Sequence, residues 1–208
     1  MLLRSLTRER LAKAAQCLAG RDADLAKILR RHGPPPMWAR KPGFATLVRI
    51  ILEQQVSLAS ARSVFKRLAA GVDQFTARRF VEVGESHFRS LGITRQKAAY
   101  CVHLARAIAE RQLNLAAVAR MKDPDARAAL TRIKGIGPWT ADIYLLMALR
   151  RPDVWPSSDL ALMTAVGRLK RLSKRPTPSA VAAIAESWKP FRAVAARMLW
   201  QYYLAGGA

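Results

Sequence analysis

Two stretches bring together residues that could do chemistry: LTRIKGIGPWTADIYL (130–145) and WPSSDLAL (155–162). In the first, Gly135 and Gly137 flank Ile136 where one helical pattern gives way to another, with Lys134 before them and Pro138 after. Gly135 can take the left-handed conformation that ends a helix, Gly137 permits a second tight bend, and Pro138 suits the first turn of the next helix. A hairpin without Cβ atoms lets a phosphate approach the backbone. The following helix adds free N–H groups and the positive end of its dipole. The candidate phosphate ligands are Lys134, Gly135, Ile136, Gly137 and Thr140. An ordinary helix–helix turn would use the same two glycines, but the basic flank Arg132–Lys134 in a strongly basic chain favours the phosphate reading. In the second stretch, Asp159 reads as a first-turn carboxylate favoured by its helix dipole, with Ser157 or Ser158 as the cap. A helix over 138–150 runs ~20 Å away from the hairpin. The linker 151–158 can span ~26 Å back, so Asp159 is able to return to it.

Charge narrows the partners. Lys plus Arg number 36 against 14 Asp plus Glu in 208 residues, a formal net charge of +22, which calls for a polyanion. The basic residues are spread along the chain with one dense run, GRLKRLSKR (167–175). The longest apolar run, Ile143 to Leu149, is far short of the ~20 residues of a membrane span. No helix pairs a basic face with an aromatic insertion face, so nucleic acid is favoured over a membrane surface. The start, MLLRSLTRER, breaks its apolar residues with Arg4 and Arg8 and has no signal-peptide core, giving the expectation of a cytoplasmic protein. Cys17 and Cys101 stand apart, and His32, His87 and His103 are scattered, so no side-chain metal site or acid–base triad is expected. Both cysteines are expected to be buried, reduced thiols.

Apolar residues recur at three- and four-residue steps almost throughout, and alternating β-branched runs are missing, so the fold is expected to be all-α. Helices are expected near 7–19, 22–31, 43–54, 57–70, 76–83, 94–111, 123–133, 138–150, 158–172, 178–187 and 191–204. Asp123 with Pro124 reads as the cap and first position of the helix before the hairpin, Thr94 as the cap of the sixth, and Thr177 with Pro178 as that of the tenth. The proline-rich RHGPPPMWARKPGF ties the first two helices to the body by a stiff, extended connection. With RRPDVWPSSD and SKRPTPSA as further breaks, two helical lobes are expected: 43–150, with the helix-hairpin-helix at about 123–150, and 1–42 plus 151–208.

These motifs are similar to those of the helix-hairpin-helix DNA glycosylases with the Gly-Pro-Asp signature (HhH-GPD). The resemblance rests on LTRIKGIGPWTA (130–141), the carboxylate in WPSSDLAL, ILEQQVSLASA (51–61) and SWKPFRAVAARMLW (187–200), and it is nearest to the AlkA-like 3-methyladenine branch. It implies two helical lobes with the active-site cleft between them, double-stranded DNA carrying a damaged base as partner, and action as a monomer. In a bacterium that work would lie at the nucleoid. The implied activity is base excision repair: flipping an alkylated purine of the 3-methyladenine or 7-methylguanine type and hydrolysing its N-glycosidic bond.

Asp159 takes the catalytic role by this resemblance, stabilising positive charge on the sugar and orienting or deprotonating water. Strand-cleaving members carry a Lys two residues after the second hairpin glycine, where its amine forms a Schiff base. Here that residue is Trp139, which implies a glycosylase without lyase activity. Trp139 and Trp200 would offer π surfaces to an electron-poor base, although each also reads as a packing aromatic. Ile143, Tyr144 and Leu160 complete the implied base pocket. Gln55, with Gln54 beside it, aligns with the loop that fills the gap left by the flipped base, and both could equally be capping or solvated residues. The family needs no organic or redox cofactor, though a monovalent cation held by hairpin carbonyls is a family feature.

Arg95 and Lys97 are further phosphate candidates. Asp142 reads as a helix-dipole residue or a partner of Lys134. Competing readings are a non-catalytic hairpin module that binds DNA, and a glycosylase for uracil or another damaged base.

Overall fold

The computed structural model describes residues 5–206. Among them there is no β-strand, and the helices are α1 (Arg8–Ala19), α2 (Ala23–His32), α3 (Phe44–Glu53), α4 (Leu58–Gly71), α5 (Ala77–Ser90), α6 (Arg95–Ala109), α7 (Leu115–Arg120), α8 (Asp123–Thr131), α9 (Pro138–Met147), α10 (Leu160–Leu169), α11 (Pro178–Ala185) and α12 (Arg192–Leu204), with a 3₁₀ turn at Glu186–Trp188. The protein is all-α. No helix among the described residues is long and apolar enough to cross a membrane. Residues 1–4, part of the stretch read for a signal peptide, and 207–208 lie outside the described residues.

Local chemistry explains most helix ends. Thr94 caps α6 by accepting the Lys97 N–H, and Thr177 caps α11 with Pro178 at its start. Three expectations are corrected. The helix expected to end at 83 does break there, where Gly84 has φ 71, but a further helical segment, not expected, follows the kink to Ser90. The six-residue α7 was missed because so short a helix shows no periodicity, although Asn114 caps it by accepting the Ala117 N–H at 3.0 Å. The cap of α8 is Lys122, which makes no side-chain cap bond, so Asp123 is already inside the first turn, where its charge complements the dipole.

Two compact units divide the described chain. One is Arg40–Ala148, and the other combines 5–39 with 149–206. In the first, α3 packs on α4, α6 and α9 and buries Leu47, Val48, Ile50, Ile51 and Leu52. Both α3 and α9 are covered on nearly every side, so their apolar residues form runs rather than a stripe. Aromatic rings fill a second part of this core. Phe80 lies 4.8 Å from Phe44 and 4.7 Å from both Phe75 and Phe88, ring centre to ring centre.

The second unit is built on α12, which buries every residue from Ala193 to Trp200 and packs against α1, α2 and α10. Asp22 caps α2 through the Asp24 and Leu25 N–H groups, and its other oxygen accepts the Trp188 indole N–H at 2.9 Å. Trp188 in turn meets the Trp155 ring at 5.4 Å. Cys101 is buried, and desolvation pushes its thiol up to about 12, so it is unreactive at neutral pH. Cys17 is half-buried rather than buried as expected.

Phe80 is fully buried and touches three other rings, so Phe80→Ala removes both transfer energy and packing. Chemical denaturation is expected to show a loss of about 3–5 kcal/mol.

Candidate functional site

The hairpin forms where Thr131 ends α8 and Gly137 precedes α9. Ile136 N–H donates to the Ile133 carbonyl at 2.9 Å, closing the tight turn, and the Ile136 side chain is buried beneath it. The two glycines do different work. Gly135 has φ 97, and a Cβ there would clash with the Tyr100 ring, so both backbone and packing require glycine. Gly137 has φ −82, which any residue adopts, and a Cβ there would meet nothing within 4 Å. No internal constraint explains Gly137. Its missing side chain instead leaves the backbone at the start of α9 open to a ligand, beside the exposed Lys134.

Gln54, at the end of α3, locks this turn from below. Its amide donates to the Gly135 carbonyl at 2.9 Å and to the Thr140 hydroxyl at 2.8 Å. Thr140 is buried, so its hydroxyl serves the hairpin's internal bonding and is not offered to a phosphate. Gln55, the neighbouring residue, is exposed and sits in the left-handed region at φ 56. This conformation is unfavourable for a residue with a Cβ and marks a position under functional or tertiary constraint. The two glutamines, interchangeable in the sequence, therefore separate: Gln54 is an internal brace and Gln55 stands at the tip. Val56 and Leu58 are also exposed there, at 44% and 54%.

The residue before this pair is anchored as firmly. Glu53 is buried and accepts both arms of Arg40, at 2.8 and 2.9 Å, with Arg49 Nε at 3.2 Å. A bidentate guanidinium satisfies a buried carboxylate that would otherwise be costly. Lys97 donates to the Leu52 carbonyl at 2.8 Å, and burial lowers its pKa, so this amine supports the end of α3 and is not the phosphate ligand expected. Arg95 is exposed at the start of α6. Asp142 pairs with Arg127 of α8, joining the two helices of the motif across the hairpin.

The base-pocket candidates divide. Trp139 is half-buried, whereas Ile143 and Tyr144 are interior residues. The Tyr144 hydroxyl accepts the Gly43 N–H at 3.1 Å, and burial raises its pKa against that bond, so it is a neutral structural phenol. Ile143 and Tyr144 offer no open surface to a base; burial on a helix covered all round is the reason. Leu160 is 61% exposed.

In the other unit Asp159 is itself the N-cap of α10, in place of Ser157 or Ser158. Its Oδ1 accepts the Leu162 N–H at 3.0 Å and the Trp200 indole N–H at 3.2 Å. Asp159 is 9% exposed and Trp200 8%. Trp200, expected as a stacking surface, is thus bonded directly to the candidate catalytic group. Sequence reasoning also passed over Trp38, whose ring meets the edge of Trp200 at 6.3 Å. Its only local signal was an aromatic two residues after a run of three prolines.

Among the described residues no group of three or more His, Cys, Asp or Glu could hold a metal ion. In the hairpin, the Ile133 carbonyl accepts the Ile136 N–H and the Gly135 carbonyl accepts the Gln54 amide. A carbonyl has two lone pairs, so neutral oxygens of this turn fit a hard monovalent cation.

The sequence matches the family described as the HhH-GPD superfamily of base excision DNA repair proteins over residues 48–190. It is 30% identical over 198 residues to DNA-3-methyladenine glycosylase 1 of Schizosaccharomyces pombe, covering 92% of this chain and 87% of that protein. Identity to a putative DNA-3-methyladenine glycosylase of Bacillus subtilis is 27% over 185 residues, covering 85% of this chain but 64% of that relative, just under two thirds of its length. A solved structure of the Schizosaccharomyces pombe 3-methyladenine DNA glycosylase in complex with abasic DNA superposes with a TM-score of 0.84 at 29% identity, covering 91% of this chain and 95% of that one.

The two glycines respond differently to a methyl group. Gly135→Ala is expected to destabilise the protein by at least about 2 kcal/mol more than Gly137→Ala, from left-handed strain plus the clash with Tyr100. Paired thermal or denaturant unfolding curves check this difference.

Proposed function

Because the chain belongs to the HhH-GPD superfamily of base excision DNA repair proteins, we propose that it is a DNA glycosylase that flips an alkylated purine out of the duplex and hydrolyses its N-glycosidic bond at Asp159 without cutting the strand. The observation that carries this reading is the buried Asp159 carboxylate, oriented by the Leu162 and Trp200 N–H groups that both donate to its Oδ1. Relatives named DNA-3-methyladenine glycosylase support the alkylpurine substrate.

The chemistry follows from charge. As the glycosidic bond breaks, positive charge grows on the sugar, and a carboxylate already oriented by fixed donors stabilises it with no reorganisation at the moment of reaction. The same group can align water or take its proton. An alkylated purine is cationic and leaves readily, so little protonation of the leaving base is required. Trp139, half-buried at the start of α9, supplies a π surface that attracts such a cation.

The hairpin supplies binding independent of sequence. Backbone N–H groups around Gly137, with Lys134 beside them, receive a DNA phosphate. The hairpin carbonyls would hold a monovalent cation, which adds positive charge near that phosphate. Gln55, at the exposed tip after α3, fills the gap in the stack, where its amide can hydrogen-bond the orphaned base. All these residues come from one chain, so a monomer suffices. The work lies with the chromosome, which in a bacterium would be the nucleoid in the cytoplasm. Trp139 has no amine to form a Schiff base, which supports release of an abasic site without strand cleavage.

Wild type and Asp159→Asn, compared at matched saturating binding to methylated duplex DNA, are expected to differ by about 10²–10³ in release of 3-methyladenine and 7-methylguanine measured by mass spectrometry. Equal release would remove Asp159 from the mechanism. DNA binding with no base released from methylated, uracil-containing or oxidised duplexes would leave a binding module. Borohydride is expected to trap no covalent protein–DNA adduct with wild type, and an adduct would establish lyase chemistry. Gly137→Ala is expected to weaken duplex binding about five- to tenfold by fluorescence anisotropy, the cost of obstructing one phosphate contact.

A further inference from the structure

One face of α12 carries Arg197, Trp200 and Gln201, spaced i, i+3 and i+4. Gln201 donates to the His32 carbonyl at 2.9 Å, at the end of α2. Arg197, fully buried, donates to the Met37 carbonyl at 2.9 Å and to the Ala193 carbonyl of its own helix at 2.8 Å. Burial lowers its pKa to about 10, which still leaves it charged at neutral pH. Between these two grips run Gly33 and three consecutive prolines, which lack N–H donors and have φ fixed by their rings. The segment 33–38 is therefore a strap held at both ends.

At the strap's end Trp38 lies in the left-handed region at φ 44. A bulky residue persists there only when its surroundings dictate the backbone, and such outliers gather at functional sites. What this conformation achieves is visible in the contact it makes. The Trp38 ring meets Trp200 at 71°, centres 6.3 Å apart, an edge-to-face arrangement that limits how the second indole can rotate. Trp200 is the residue whose N–H donates to Asp159 Oδ1.

We propose that Trp38 is a positioning residue for Asp159: the strap held by Arg197 and Gln201 sets the Trp38 ring against Trp200, and so fixes the indole N–H that orients the carboxylate. The Trp200 indole N–H reaches the same oxygen, Oδ1, as the Leu162 N–H, but from a different helix. A second donor in a fixed direction defines the carboxylate plane. Trp38 acts through Trp200 and without contact to the reacting atoms. This inference rests on Asp159 being the reacting carboxylate.

The test is single-turnover base release from methylated duplex at saturating enzyme, with duplex affinity and thermal unfolding measured on the same proteins. Trp38→Ala is expected to lower the release rate about 10- to 30-fold while affinity stays within about twofold, and Trp38→Phe to stay within about threefold of wild type. If the alanine variant does not fold, Trp38→Leu, which keeps volume without an aromatic edge, takes its place. In a Trp200→Phe background, which lacks the indole N–H, Trp38→Ala is expected to cost at most about twofold more. That non-additivity separates positioning from simple packing. A release rate in Trp38→Ala equal to wild type, or fully additive losses in the double variant, overturns the proposal while base release itself stands. A wild-type protein that binds DNA and releases no base overturns the glycosylase reading and this inference with it.

Discussion

A carboxylate removed from water needs donors, and where they stand determines what the carboxylate can do. Asp159 meets this constraint with the first turn of its own helix and with an indole from α12. The helix contribution is local and would arise in any Asp at an N-cap. The indole contribution depends on α10 and α12 packing together, and through Trp38 and Arg197 on the strap after α2. Much of the unit formed by the chain ends can thus be understood as scaffolding for one side chain.

The unit 40–148 obeys a parallel logic around a different group. Its hairpin is short and has few side chains of its own to hold it, so its rigidity comes from beneath. Gln54 bonds both the Gly135 carbonyl and Thr140, and Tyr100 fills the space that a Cβ at Gly135 would need. Glu53, held by Arg40 and Arg49, and Lys97 on the Leu52 carbonyl anchor the end of α3 that carries Gln54. Gln55 is the residue left exposed. Because Gln54 and Gln55 are adjacent, the turn proposed to receive phosphate and the residue proposed for the base gap share one support.

Charge is used in two ways. Many of the chain's cations remain exposed, which suits long-range attraction to DNA and would make binding sensitive to salt. A smaller set is withdrawn from that role: Arg40 pairs with a buried carboxylate, Arg197 binds carbonyls and Lys97 closes a helix end. Burial makes these cations structural, because a buried charge must be fully coordinated by the fold. Charge counting alone cannot separate the two sets.

Several features were legible in the amino-acid order alone. The all-α class, most helix positions, the two-glycine turn and Asp159 at a helix start follow from interactions within four or five residues: helical periodicity, caps, and the backbone range of Gly and Pro. Resemblance added the functional family and the role proposed for Asp159. Tertiary structure decided the rest. It divided Gln54 from Gln55, turned Thr140, Ile143 and Tyr144 inward, assigned Asp142 to Arg127, and placed Trp38 against Trp200. Trp38 and Trp200 lie at opposite ends of the chain, and Gln54 is 81 residues from Gly135. Nothing in the local pattern of either partner encodes such a pair, because side-chain identity limits only which bonds are possible, and packing selects which of them form.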